Sequence, residues 1–166
     1  AIPALAVIKG VPRELTREEI REMVSAHGDA ALRCRKAGFD FVEIHAAHGY
    51  LISEFLAEHS NQRSDDYGGS FENRTRFLLE ILKDIRVKAG SDFPVGIRIN
   101  GDDCVSVGWG IKDACRLAPI LQEAGADWLH VSAGIYGSSP VTIPSMYIPQ
   151  GCFVHLAEEV KKTVSI

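Results

Sequence analysis

Arg35-Lys36-Ala37-Gly38-Phe39-Asp40, running into Phe41-Val42-Glu43-Ile44-His45, decides the fold, because its pattern returns twice along the chain. Val87-Lys88-Ala89-Gly90-Ser91-Asp92 leads into Pro94-Val95-Gly96-Ile97-Arg98-Ile99. Gln122-Glu123-Ala124-Gly125-Ala126-Asp127 leads into Trp128-Leu129-His130-Val131-Ser132. Each passage is a helix end, an Ala-Gly stop and a short apolar run. Glycine suits the left-handed residue that closes a helix. Short apolar runs bounded in this way suit strands buried on both faces.

The segments between these passages read as helices. Thr16 is a good N-cap, and Glu19 completes a capping box before an apolar-periodic stretch to about Lys36. Phe77, Leu78, Ile81, Leu82 and Ile85 keep helical spacing between Ser70 and Lys88, and Ala114, Leu117, Ala118 and Leu121 do so between Lys112 and Glu123. Phe153 to Thr163 reads as a last helix.

Strands alternating with helices make an α/β fold with a parallel sheet. A doubly wound sheet and a (β/α)8 TIM barrel both satisfy the pattern. The barrel is favoured because chemically rich residues follow each strand: His45 and His48, then Arg98 and Asn100, then Ser132 and Gly134. Barrel active sites lie at those strand ends. Three strands are complete, and Val164-Ser165-Ile166 reads as the start of a fourth. A whole barrel takes roughly 250 residues. Residues 1–166 are therefore expected to be three to four consecutive βα units, a fragment of one barrel domain, which self-associates through its open edges.

Of the 166 residues, 46% are hydrophobic and 24% charged, an ordinary globular balance. The net charge of -4, without a Lys/Arg block, offers no footprint for nucleic acid or an anionic membrane. No run of about 18 apolar residues predicts a membrane helix. The four cysteines, Cys34, Cys104, Cys115 and Cys152, form no CxxC pair, which argues against a zinc ribbon or an iron–sulfur cluster in this segment. Cys34 and Cys115 fall in helical patterns as small hydrophobes. Scattered thiols and the absence of a signal-peptide pattern point to the cytoplasm.

The chemistry concentrates in His45-Ala46-Ala47-His48-Gly49-Tyr50-Leu51-Ile52. Two imidazoles and a phenol close together at a strand end outweigh the reading of a lone structural histidine. Two N–H donors on one oxygen would polarise a carbonyl, and a nearby tyrosine could deliver a proton. An alternative is a metal-dependent hydrolase or lyase, with His45 and His48 joined by Glu54 or His59 as ligands. Against it, no Asp or Glu is expected at the site ends of the next two strands.

The same stretch continues as Asn61-Gln62-Arg63-Ser64-Asp65-Asp66-Tyr67-Gly68-Gly69-Ser70-Phe71-Glu72-Asn73-Arg74-Thr75-Arg76-Phe77. From His45 to Phe77 it resembles the signature of the old yellow enzyme family, some thirty positions in register. The flanks, from Val11-Pro12-Arg13-Glu14-Leu15-Thr16 to Gly151, resemble the family too. Ile143-Pro144-Ser145-Met146-Tyr147, with Pro149 and Gly151, is similar to its multidomain enoate reductase and 2,4-dienoyl-CoA reductase branch.

The resemblance implies a (β/α)8 barrel carrying FMN and an oxidoreductase that reduces the C=C bond of α,β-unsaturated carbonyl compounds with hydride from NADH or NADPH. It implies that His45 and His48 bind the substrate carbonyl oxygen, that Tyr50 protonates the neighbouring carbon, and that Arg98 contacts the flavin pyrimidine edge. The second histidine is Asn in many relatives. Ser132, Gly134 and Tyr136 would line the pocket without an assigned role. Arg63, Asp65, Glu72 and Arg74 read as a loop-pinning charge network. The family's FMN phosphate site and the cysteines of its iron–sulfur branch lie on parts of the barrel outside this stretch, so the fragment alone is expected to be inactive. Gly137 and Ser138 stand where the dienoyl-CoA branch often has His, which weighs against dienoyl-CoA chemistry.

Overall fold

A computed structural model describes residues 13–166. Val11 and Pro12, the first residues of the family-like flank, lie outside the described residues. The elements run α1 (Arg17–Lys36), β1 (Val42–Ala46), α2 (Leu51–Leu56), α3 (Phe71–Ala89), β2 (Val95–Asp102), α4 (Ile111–Glu123), β3 (Trp128–Ala133), α5 (Ser139–Thr142) and α6 (Val154–Lys161). The three strands form one parallel sheet in the order β1-β2-β3.

Local sequence explains the ends of these elements. Thr16 Oγ1 accepts from Glu19 N, and Glu19 accepts from Thr16 N at 2.7 Å, closing the expected capping box. Ser70 caps α3 by accepting from Asn73 N. The three stop glycines all take positive φ: Gly38 at 84°, Gly90 at 94° and Gly125 at 99°. Gly38 and Gly125 follow αR caps, whereas Gly90, with ψ 159°, turns at once into extended chain.

Helices cover one face of the sheet. Phe77, Leu78, Ile81 and Leu82 of α3 are fully buried against Val95, Ile97 and Ile99 of β2 and against α1 and α4. Each such side chain contributes about 1.5–3 kcal/mol on burial. Asp127 ties the sheet's lower end together. Its Oδ2 accepts from Val95 N at 2.6 Å and pairs with Arg86 at 2.5 Å.

The expectation of strands buried on both faces is corrected here. Along β1, Ile44 and Ala46 are buried while Glu43 and His45 are exposed. The helix-free face carries Glu43 beside Gly96 and Trp128, then His45 beside Arg98 and His130. Inward rows of this kind fill a closed barrel, and three strands leave them open. Gly96 lies beneath the Trp128 indole, and a Cβ there would collide with it. Phe41 stacks edge-on to the same indole at 5.2 Å.

Two boundaries also differ from the sequence reading. β2 runs on past Ile99 to Asp102, because Asn100 and Asp102 still pair with β3 across an irregularity. Val164-Ser165-Ile166 forms no strand. Ser165 N instead donates to Gln122 Oε1 at 2.7 Å, at the end of α4, so three strands are present among the described residues.

Candidate active site

β1 delivers His45 onto the open face, and the chain then reverses within four residues. His48 takes φ 63° and Gly49 φ 74°, two successive left-handed residues before α2 begins after Tyr50. Among residues with a side chain, Asn, Asp and His enter that region most readily. Asn could therefore take the place of His at position 48 without straining the turn.

The turn brings the expected residues together. The His45 ring lies 5.2 Å from His48 and 5.1 Å from Tyr50, centroid to centroid. Arg98 pairs in register with His45 on the neighbouring strand. Its Nη2 donates to Ser132 Oγ at 3.1 Å, while its Nε is buried with no partner among the described residues. Arg98 stands within the sheet face rather than at a strand end, since β2 continues four residues beyond it.

His48 is less free than expected. Its Nε2 lies 2.6 Å from Ser132 Oγ, and Asn100 Oδ1 accepts from its backbone N at 3.3 Å. Ser132 already accepts from Arg98, so its hydroxyl hydrogen can go to Nε2, leaving Nδ1–H as the His48 donor. Burial, and then the Arg98 charge, push the His48 pKa down to about 4. The same two causes lower His45. Both imidazoles are therefore neutral at pH 7, and each keeps one ring N–H to donate.

This shift predicts a pH dependence of stability. Between about pH 6.5 and 4 the unfolded chain binds a proton at position 48 that the folded chain refuses. Stability from this group is complete above 6.5 and falls as pH drops through that window. His48→Asn flattens this part of the curve. Urea midpoints measured from pH 7 to 4 check it, and parallel curves for both proteins contradict it.

Sequence reasoning missed several partners. Tyr136 Oη lies 2.8 Å from Tyr50 Oη. His130 Nδ1 sits 3.2 Å from Glu43 on the open face. Buried Asn100 donates to Asp103 Oδ1 at 2.7 Å and to Gly134 O at 3.0 Å. Asp102 and Asp103 also correct the expectation of no acid at the end of β2. Burial raises the Asp103 pKa. The alternation of open-face residues along β1 and β3 was the one available signal for Glu43 and His130.

The metal-ligand set is not assembled. Among the described residues no three His, Cys, Asp or Glu side chains stand close enough to hold an ion. Glu54 and His59 line a separate cavity.

The loop after α2 behaves largely as expected. Arg63 binds Asp65 at 2.6 Å and Leu15 O at 2.7 Å. Buried Arg74 donates to Leu56 O and Gly69 O. Glu72 is the exception, pairing across to Arg116 of α4 at 2.5 Å. Among the described residues, no helix is long and apolar enough to cross a membrane.

The NADH:flavin oxidoreductase / NADH oxidase family matches residues 4–161. A NADH oxidase of Thermoanaerobacter brockii is 47% identical over 155 residues, 93% of this chain and 24% of its own length. A cinnamate reductase of Clostridium sporogenes is 39% identical over 169 residues, covering 93% and 25%. The structure of a 2-naphthoyl-CoA reductase with 2-naphthoyl-CoA superposes with a TM-score of 0.84 at 38% identity, covering 90% of this chain and 23% of that one. The chain spans about a quarter of the length of these relatives. A parallel sheet that superposes as part of a larger barrel-like fold, together with a match over residues 4–161, makes the chain a member of the NADH:flavin oxidoreductase family, the old yellow enzyme group.

Proposed function

We propose that this stretch is the substrate- and proton-handling part of one FMN-binding barrel that reduces the C=C bond of α,β-unsaturated carbonyl compounds with hydride from NADH or NADPH. The observation that carries the reading is the convergence of His45, His48, Tyr50 and Arg98 on one open sheet face. Cinnamate, named for the Clostridium sporogenes relative, is a compound of this class.

Arg98 fits the edge of a flavin. It is cationic, it faces the open side of the sheet, and its buried Nε has no acceptor among the described residues. A guanidinium there would hold the pyrimidine edge and favour negative charge on it. Bound FMN would supply the hydride that reaches the β-carbon, renewed from NADH or NADPH.

The chain's own residues do the rest. N–H groups of His45 and His48 hold the carbonyl oxygen, where charge accumulates as the β-carbon is reduced. Neutral imidazoles suit this role, since each donates without drawing a counter-ion into the site. Tyr50 gives its proton to the α-carbon. The 166-residue stretch alone is expected to be inactive, since the sheet has three strands among the described residues.

The test is a visible absorption titration of the full-length protein with phenol. A phenolate held by His45 over a flavin gives a broad long-wavelength band, which His45→Ala loses. A colourless protein that takes up no FMN overturns the reading. A second measurement concerns the isolated stretch, where β1 and β3 each pair only with β2. Their free edges predict a mass that rises with concentration in light scattering. A constant monomer mass contradicts this.

A further inference from the structure

Tyr50 must regain a proton after each turnover, and its hydroxyl has a single protein partner among the described hydrogen bonds. Tyr136 Oη stands 2.8 Å away, and the rings meet edge to face at 5.7 Å and 82°. Tyr136 opens a single 3-10 turn, Tyr136–Ser138, after β3. That turn is firmly placed. Buried Ser138 Oγ accepts from Ile135 N at 2.8 Å and donates to Asp103 O at 2.7 Å. Thr142 Oγ1 donates to Ile135 O at 2.9 Å.

Resting on the function proposed above, we infer that Tyr136 is the proton-relay partner of Tyr50, a positioning residue that hydrogen-bonds the Tyr50 hydroxyl and reprotonates it. The proton path is short. The Tyr50 O–H bond breaks as the new C–H bond forms at the α-carbon. Tyr136 passes its hydroxyl proton to the Tyr50 oxygen and takes one back from solvent water. One proton moves from water to carbon, and the only electron pair transferred is that of the hydride.

The surroundings suit such a path. Tyr136 is 42% exposed and Tyr50 46%, so water reaches both phenols. Tyr136 also borders a cavity of about 290 Å³ lined by Glu54, His59 and Asp103, a second set of proton-exchanging groups. The His45 ring, 5.1 Å from that of Tyr50, is a further titratable neighbour, with its pKa lowered by burial and then by the Arg98 charge. Either hydroxyl can donate in this hydrogen bond, which raises the Tyr136 pKa, and the relay uses the arrangement in which Tyr136 donates.

The experiment uses the full-length flavoprotein and 2-cyclohexenone as the enone. Tyr136→Phe lowers kcat by about 10- to 100-fold, part of what a positioned general acid contributes, with KM little changed. Loss of the hydroxyl that feeds Tyr50 its proton also shifts the alkaline limb of kcat against pH. A residue that merely packs against Tyr50 would leave that limb in place. Tyr136→His, which keeps a donor, recovers part of the rate. An unchanged kcat and alkaline limb in Tyr136→Phe overturns the relay. If Tyr50→Phe itself leaves kcat unchanged while phenol still gives its band, Tyr50 is not the acid and the relay falls with it. Loss of the phenol band in wild type would instead overturn the functional reading, a distinct result.

Discussion

Tyr50→Phe lowers kcat for reduction of 2-cyclohexenone by about 10²- to 10⁴-fold, the usual contribution of a positioned general acid. The Tyr50 ring lies 5.1 Å from that of His45, and the hydroxyl closest to His48, Ser132 Oγ, is already engaged by His48 and Arg98. A carbonyl oxygen held by the imidazoles puts the α-carbon two bonds away, on the side where Tyr50 stands. Removing one oxygen leaves ring packing intact and takes away only the proton. KM therefore changes little, and the loss appears in kcat. NADH-dependent oxygen uptake protonates no carbon and serves as the internal reference. A variant that loses both activities equally has lost cofactor or fold, and one that loses neither shows that another group is the acid.

Phe77→Ala destabilises the fold by about 3–5 kcal/mol, as expected for deleting a fully enclosed phenyl ring. Phe77 is fully buried on α3 and packs 4.6 Å from Phe55 of α2. Phe55 in turn meets Tyr67 at 6.4 Å, with the Arg63 guanidinium 5.9 Å from its ring centre. The cavity thus opens beneath the helix that follows the His48–Tyr50 turn. Loss of folded-state stability is accompanied by weaker phenol binding in the full-length protein. Guanidinium unfolding with tryptophan fluorescence measures the first effect. A loss under about 1 kcal/mol would mean that the ring is not fully enclosed.

Much of this architecture was legible in the chain. Thr16 with Glu19, Ser70, and the three Ala-Gly stops set helix limits through contacts spanning only a few residues. The apolar spacing of Phe77, Leu78, Ile81 and Leu82 marks the buried side of α3 without reference to the rest of the fold. His45, His48 and Tyr50 also meet through local geometry, because a strand end and a left-handed turn bring residues five apart into contact.

What the chain hid depends on register. β2 reads as ending at Ile99 because Asn100 and Asp102 are polar, yet their pairing with Ser132 and Ala133 on β3 extends it. Only that pairing sets Ser132 between Arg98 and His48, 84 residues from the latter in sequence. Tyr136 is 86 residues from Tyr50, and Glu72 finds Arg116 44 residues on. Such partners carry no local signal, because any of several charged or hydroxylated side chains would satisfy each one equally well.

The sequence by itself therefore determined the alternation of helices and strands, the helix caps, and the clustering of two imidazoles with a phenol, since each follows from interactions within about one turn of chain. The tertiary structure alone decided which face of the sheet stays open, which nitrogen of His48 is engaged, and which hydroxyl Tyr50 touches. Those outcomes are fixed by the lateral alignment of parallel strands, whose hydrogen bonds join residues that the chain keeps far apart.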